Sequence, residues 1–512
     1  MTDHSENNKR IAKNTLLLYF RLIITIIVGL YTSRVVLNTL GIEDYGVYNI
    51  VAGVVTLFSL VTNALSVAIS RFLTFELGRG DKSKLEKIFS TSVSIQALMA
   101  VALIIVLEVL GMWLLNNQLN IPLARLYAAK WVLHCSIFTL AINLISVPYT
   151  SSIISHENMN VYAYISILEV SLKLVVVYAL LISPYDKLIV YAVLYVFVAI
   201  IIRLVYGFYC SRKYEECHYR FIFDKNLYKE MMSFAGWSFM GNGVYAFNTQ
   251  GVNILSNIFF GVTVNAARGI STQVEAILKQ FVTNFTTALN PQITKSYATG
   301  DMNYMYSLIC RSSKFSYLLM LIFAVPFIFE ADFILAIWLK EYPLCSPLFL
   351  RLAMVGTMFD LLGNSASIAT GATGNIKNYY IVVSSIGALV FPLSWLAFLV
   401  GLSAYWSYIV FILIYIVLLF VRLSIIRKLI DFPVTLFNKT VILKILPCTL
   451  VSFILPLLFY CILDKSIISS FIIILICGLS TLVSIYCIGL TEGERTKCME
   501  FVKQKIARKQ HI

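Results

Sequence analysis

The sequence predicts an all-α, polytopic integral membrane protein of about fourteen transmembrane helices, and three observations predict it. The 512 residues are 59% hydrophobic and only 13% charged, where soluble domains carry roughly 25% charged residues, and the mean hydropathy is +0.83. Apolar runs of the roughly 20 residues that a helix needs to cross a bilayer recur from end to end. Lys and Arg collect on alternate loops, the pattern that orients helices with their basic ends inside. A soluble multidomain enzyme is excluded, and so is a nucleic-acid binder. The excess of 40 Lys and Arg over 26 Asp and Glu, +14 in all, finds its first use in that orientation. Ten cysteines without a CxxC pair indicate neither a disulfide framework nor a metal site.

The polar start, Met1 to Lys13, precedes an apolar run that contains Arg21 and lacks a small-residue cleavage site, so that run reads as a first transmembrane helix and not a cleaved signal peptide. The expected segments lie near Thr15 to Leu37, Val47 to Ile69, Ser90 to Leu115, Leu126 to Ile153, Val161 to Ile182 and Leu188 to Cys210. A second set lies near Met231 to Phe260, Val264 to Leu289, Tyr306 to Phe329, Leu348 to Thr370, Tyr379 to Val400 and Tyr405 to Arg427, and a last pair near Val441 to Leu463 and Ile467 to Leu490. Pro148, Pro326 and Pro392 interrupt apolar segments and point to bends.

Counting the amino terminus as inside, the inside stretches hold Lys9, Arg10 and Lys13, then Arg79 to Lys87, then Arg212 to Lys229, and later Lys295, Lys377, Arg427, Lys428 and Lys439. The alternate loops are poor in base: Glu43 and Asp44, the uncharged Asn116 to Pro122, Asp186 with Lys187, then Glu330, Asp332, Lys340 and Glu341, and Asp464 with Lys465. Both termini are therefore expected in the cytoplasm. The loop Ser155 to Asn160 is the weak point, with neither Lys nor Arg. In the tail, Phe501, Val502 and Lys505 have helical spacing, suited either to the anionic inner leaflet or to a solvated basic end.

The chain also resembles itself at an offset of 220 residues: Gly41 recurs as Gly261, and Gly80-Asp81 as Gly300-Asp301. The offset covers an even number of crossings, so both copies run the same way through the membrane. Parallel repeats of this kind form two lobes around a substrate cavity. The expected organisation is an N-terminal lobe of six helices over 1–210, a cytoplasmic linker at 211–230, a C-terminal lobe of six helices over 231–430, two further helices at 431–490 and a basic tail at 491–512.

A charge near the bilayer centre costs a few kcal/mol on insertion scales, which makes each such residue a functional candidate. The basic ones are Arg21, Arg34, Lys130, Lys173, Arg203, Arg268, Lys279 and Arg351, and the acidic ones Glu108, Glu169, Glu275 and Asp360. Their balance of about +4 favours anions in a lumen. On segment eight, Arg268, Ser271, Thr272, Glu275 and Lys279 form one polar stripe at helical spacing. Segment seven offers Asn242, Thr249 and Asn253, beside Trp237, Tyr245 and Gln250. Amides, hydroxyls and an arginine fork suit a sugar and its phosphate linkage. The competing reading is interhelical hydrogen bonding that only holds the bundle together. Glu275 and Lys279, like Glu169 and Lys173, also have the spacing of an intrahelical ion pair. Arg21 has no acidic neighbour one turn away, whereas Arg34 and Arg203 lie near segment ends, within reach of headgroups. Glu108 and Asp360 are candidates for proton uptake or for simple pairing, and His134 lacks a second ligand at metal spacing. No GxxxxGK[ST], HExxH or GxSxG occurs, which removes ATP-driven and the corresponding hydrolytic chemistries. No cofactor is expected.

The residues resemble a known family. Asn14-Thr15, the run Tyr31 to Tyr48 with Arg34 and Gly41, Ser70-Arg71-Phe72, Gly261 to Ile270 and Asn290-Pro291-Gln292-Ile293 are similar to the polysaccharide-transporter and O-antigen (Wzx-type) flippase branch of the multidrug/oligosaccharidyl-lipid/polysaccharide (MOP) exporter superfamily. That resemblance implies a non-enzymatic flippase of a bacterial inner membrane. It would move an undecaprenyl-diphosphate-linked oligosaccharide from the cytoplasmic to the periplasmic leaflet by alternating access, for O-antigen, capsule or exopolysaccharide. Its partners would be the lipid-linked oligosaccharide, membrane lipid and the polymerase and glycosyltransferases of the pathway. Arg21, Arg34 and Arg268 best match the arginines of a cationic lumen in similar proteins. Two alternatives stand beside this one: a cation-coupled multidrug exporter of the same superfamily, and a non-transporting scaffold of a polysaccharide assembly complex.

Overall fold

The computed structural model describes residues 4–56, 58–117, 121–222, 224–339, 342–464, 466–496 and 499; the tail residues Phe501, Val502 and Lys505 lie outside them. Among the described residues there are helices, short turns and no strand. Lipid demands this of an open chain, since a helix satisfies its backbone N–H and C=O groups within one segment. In chain order the helices are α1 (His4–Thr56), α2 (Ser59–Arg79), α3 (Lys82–Asn117), α4 (Leu126–Ser155), α5 (Met159–Ile182), α6 (Lys187–Lys213), α7 (Lys225–Ala298) and α8 (Met302–Leu339). They continue as α9 (Ser346–Thr373), α10 (Lys377–Ala388), α11 (Val390–Leu399), α12 (Trp406–Ile430), the short α13 (Val434–Phe437), α14 (Leu443–Ile462) and α15 (Ile467–Ser484).

Among the described residues eleven stretches are long and apolar enough to cross a membrane, and they correspond to expected segments one, three to six and nine to fourteen. Exposed side chains such as Ile105, Val109, Leu204, Phe420, Leu450 and Leu475 form an apolar exterior of the extent that marks a membrane protein. The seventh and eighth segments fall short by composition, not length. Both lie in α7, whose two limbs on either side of Gly261 each exceed the roughly 20 residues of a span and carry the polar stripe. The second segment, expected at Val47 to Ile69, straddles a turn at Phe58 between α1 and α2. The eleventh is broken after α10 because the ring of Pro392 opposes the carbonyl of Ala388, four residues earlier, where α10 ends.

The 220-residue offset is written in the backbone. Gly41 kinks α1 at φ 80, ψ 169, and Gly261 kinks α7 at φ 80, ψ −177. Gly80 and Gly300 then end the following helices at φ 76 and φ 78, in the left-handed conformation that glycine adopts without penalty. An added Cβ at Gly41 or Gly261 would meet nothing within 4 Å, so a side chain there costs backbone strain and not a clash. Gly261→Ala is expected to lower stability by about 1–3 kcal/mol, read as a lower melting temperature in detergent. Gly269→Ala on the same helix, where an added Cβ also meets nothing, should be neutral or slightly stabilising.

The helices gather into two compact units. The first contains the described residues of Met1–Gly243 with Thr287–Asp301 and Gly371–Tyr380. Within it α4 packs against α2, α3 and α6, and α1 packs against α5. Aromatic pairs such as Phe89 with Tyr149, 5.2 Å apart and edge-on, fill the core. At one end Arg125 donates to Asp44 at 2.6 Å and to Asp186 at 2.7 Å, while Asp186 caps α6 by accepting from the Leu188 and Ile189 amides. Burial opposes ionisation of Asp186, but Arg125 and the backbone amides outweigh it and hold its carboxyl below the usual range.

The second unit contains the described residues of Val244–Thr286, Met302–Thr370 and Ile381–Ile512. Here α8 packs against α14 and α15, and α11 against α12, with Val252, Val390, Ile414, Tyr415 and Leu418 in a common core. Lys314 on α8 is almost fully buried and donates to Glu494, beyond α15, at 2.6 Å. That ion pair ties the chain following α15 to the unit.

Candidate functional site

The polar stripe of α7 faces a cavity inside the second unit. Arg268, Thr272 and Glu275 line one wall, and Tyr245, Asn248 and Thr249 from the other limb of α7 line a second. Closure comes from Ala353 of α9, Val390 of α11 and Ser407, Tyr408 and Phe411 of α12. The kink at Gly261 folds α7 back so that both limbs contribute. Residues 15 apart in sequence thereby touch: Arg268 Nε donates to Asn253 Oδ1 at 2.6 Å. Arg268 Nη1 donates to Ser407 Oγ at 3.2 Å, and the guanidinium lies 5.0 Å from the centre of the Tyr408 ring. Among the described residues its direct contacts are thus an amide, a hydroxyl and an aromatic face, while the Glu275 carboxylate stands on the same cavity wall, within electrostatic reach.

Two to three turns further along α7 the charges pair. Lys279 Nζ lies 2.6 Å from Asp360 Oδ2 of α9 and 3.4 Å from the Tyr245 hydroxyl. Arg422 of α12 reaches the other oxygen of Asp360 at 3.6 Å, and Glu275 accepts from Thr357 at 2.8 Å. The spacing had offered Lys279 an intrahelical partner in Glu275. Folding instead brings Asp360 to it from a neighbouring helix, where direct contact replaces a partner one turn away. Two carboxylates and two cations balance in this cluster, and the positive charge left over belongs to Arg268. As the side chains stand the cavity measures about 40 Å³, room for an ordered water and not for a sugar.

The other sequence candidates lie elsewhere. Arg21, on α1 in the first unit, sits 4.8 Å from the centre of the Tyr162 ring. Glu108 pairs with His134 Nδ1 at 2.8 Å, also in the first unit, and Glu169 pairs with Lys173 at 2.6 Å. Asn242 is exposed on α7 and does not line the cavity. Arg34 belongs to α1, but its side chain is outside the described residues. Among the described residues no group of three or more potential metal ligands occurs.

Sequence reasoning did not single out Arg422, Ser407 or Tyr408, which complete the site from α12. Arg422 stands five residues before the Arg427-Lys428 pair at the end of an apolar run, where a basic residue reads as an anchor. Nor did it find Glu157. This carboxylate, its side chain 1% exposed, lies 2.8 Å from Arg10 and 2.6 Å from Lys295, accepts from Gln292 at 2.5 Å, and has its backbone carbonyl bound by Asn14 at 3.0 Å. It holds α1, the α4–α5 turn and the end of α7 together within the first unit. Its φ of 60 is uncommon for a residue with a side chain.

Comparison with known proteins gives three kinds of match. The family model described as "Polysaccharide biosynthesis protein" covers residues 11–297. The uncharacterized membrane protein EpsK of Bacillus subtilis (strain 168) is 20% identical over 321 residues, which span 62% of this chain and 63% of that protein. Solved structures share the fold at low identity. A MATE protein in the bent conformation superposes with a TM-score of 0.73 at 12% identity, over 85% of this chain and 97% of that one. A MOP superfamily transporter from Pyrococcus furiosus Vc1, described as having a binding pocket of reverse polarity, superposes with a TM-score of 0.70 at 12% identity, over 83% and 96%.

Proposed function

The chain belongs to the polysaccharide biosynthesis protein family and has the fold of MATE transporters, and from that premise we propose that it is a flippase for lipid-linked oligosaccharides. The observation that carries the reading is Arg268, a cation in a membrane cavity whose direct contacts are an amide, a hydroxyl and a tyrosine ring, with the Glu275 carboxylate of the same wall shared with Lys279 and Thr357. Those neutral partners are exchangeable for phosphate and sugar oxygens, and an arginine fork grips phosphate through two parallel hydrogen bonds. The cavity must widen to admit a sugar, which fits a cycle of alternating access in which the substrate enters as the site opens. The lobes expected at 1–210 and 231–430 would be the moving halves of that cycle, with 231–243, 287–301 and 371–380 of the second travelling with the first unit to which they pack, and the polyprenyl tail left in lipid. On this reading the membrane is a bacterial inner membrane, and the Lys and Arg of alternate loops support a cytoplasmic side for both termini. The repeat-unit glycosyltransferases would act before this protein and the polymerase after it.

Arg268→Ala is expected to reduce surface polysaccharide at least tenfold at unchanged protein level, the equivalent of losing one charge-assisted interaction of about 1.5–3 kcal/mol. Arg268→Lys should retain part of the activity, because a point charge replaces the fork. Normal polymer from Arg268→Ala would remove the site assignment. The multidrug reading draws support from the MATE-like fold but needs an acidic lumen for cationic drugs, and Asp360 already holds Lys279 and Arg422. Altered drug resistance on deletion, with surface glycan intact, would favour it.

A further inference from the structure

A second cavity, of about 350 Å³, lies wholly in the first unit where the start of α7 meets the α9–α10 turn. Its volume falls within the range of small-molecule sites, and both of its lysines belong to the basic stretches expected on the cytoplasmic side. Lys229 and Lys377 contribute two exposed ammonium groups against the single carboxylate of Glu230. Asn226 and Asn375 add amides, and Trp237 presents a ring face with the Lys377 ammonium 5.8 Å from its centre.

The rim is held from behind. Arg71 donates to the carbonyls of Gly371 and Ala372, each at 3.3 Å, and its guanidinium lies over the rings of Phe72 at 4.7 Å and Phe75 at 4.9 Å. Gly374 follows at φ +79, and a Cβ there would collide with Arg71. The turn that presents Asn375 and Lys377 is therefore fixed by Arg71, whose own charge is met by Glu230 and Glu76. Another cavity nearby, of about 460 Å³, is larger but self-neutralised: its Lys82 pairs with Glu215 at 2.8 Å and its His156 with Glu216 at 2.6 Å.

We propose that the Lys229–Lys377 cleft is a docking site for a phosphorylated sugar headgroup, engaged on the cytoplasmic side before the headgroup reaches Arg268. The two ammonium groups take the phosphate, the asparagine amides take sugar hydroxyls, and the Trp237 face takes the apolar face of a pyranose. The cleft rests on the flippase reading for its substrate class but not on Arg268 for its affinity.

The test uses the full-length protein in nanodiscs, titrated with undecaprenyl-diphosphate-linked N-acetylglucosamine, with phosphatidylglycerol in the disc lipid as one competitor and soluble UDP-N-acetylglucosamine as another. The double variant Lys229→Gln/Lys377→Gln is expected to weaken glycolipid binding at least tenfold, and Trp237→Ala to weaken it several-fold, while Lys82→Gln in the self-neutralised cavity leaves it unchanged. Unaltered glycolipid binding by the double variant overturns the cleft. Equal displacement by phosphatidylglycerol reassigns it to a plain phospholipid headgroup, and equal binding of the soluble nucleotide sugar removes the lipid from the proposal; either result overturns it as stated. Arg268→Ala should keep the binding and lose the transport. Failure at the cleft and failure of the flippase reading are thus read in different columns of the same experiment.

Discussion

Asp360→Ala is expected to lower the stability of the folded protein by about 3–5 kcal/mol, the cost of removing one partner from a buried ion pair. Asp360 is the shared acceptor of Lys279 at 2.6 Å and Arg422 at 3.6 Å, so its loss strands two cations on α7 and α12 inside the apolar second unit. The double variant Asp360→Ala/Lys279→Ala should recover a part of that loss, because only Arg422 then remains without its counter-charge. The measurement is a double-mutant cycle on thermal unfolding in detergent. A single-variant loss below about 1 kcal/mol, the ordinary worth of an exposed pair, would show that water screens the cluster. Arg268→Ala removes a cation whose direct contacts are neutral, leaves Glu275 its Lys279 and Thr357 partners, and is expected to cost function at little cost in stability.

Glu157→Ala should destabilise the first unit by about 3 kcal/mol, again by leaving buried donors without an acceptor. Lys295 and Gln292 would face an empty space where the carboxylate stood, and three segments distant in sequence would lose their common anchor. Arg10 is nearly half exposed, so Arg10→Ala should cost less than about 1 kcal/mol. Glu157→Gly separates charge from backbone strain: it relieves the positive φ yet still removes the carboxylate, and it is expected to remain strongly destabilised. Melting at the parent temperature in Glu157→Ala would refute the anchor.

The same residue explains where the charge pattern of the loops falters. The Ser155 to Asn160 connection lacks Lys and Arg, which left its side of the membrane without support. It carries instead the acceptor toward which Arg10 and Lys295 turn from other segments. A count of basic residues loop by loop cannot see a base supplied from elsewhere in the fold.

Much of the site was legible because it is local. Arg268, Thr272 and Glu275 share a face by helical spacing alone, and Asn253 was marked on the adjoining segment for the same reason. Asp360 was found as an intramembrane charge but not as the partner of Lys279, since that contact joins helices 81 residues apart. Arg422 and Ser407 left no local sign at all.

Composition and periodicity are enough to establish a helical membrane protein and where most spans begin and end, and the 220-residue offset points to the glycines at which the backbone turns. These follow from composition, period and backbone sterics, each of which acts within a few residues. Which charges neutralise one another, and which cation has only neutral groups in direct contact, emerges from the packed helices. Pairing across helices depends on which faces the fold turns toward each other, and in a low-dielectric interior that choice separates a structural ion pair from a binding group.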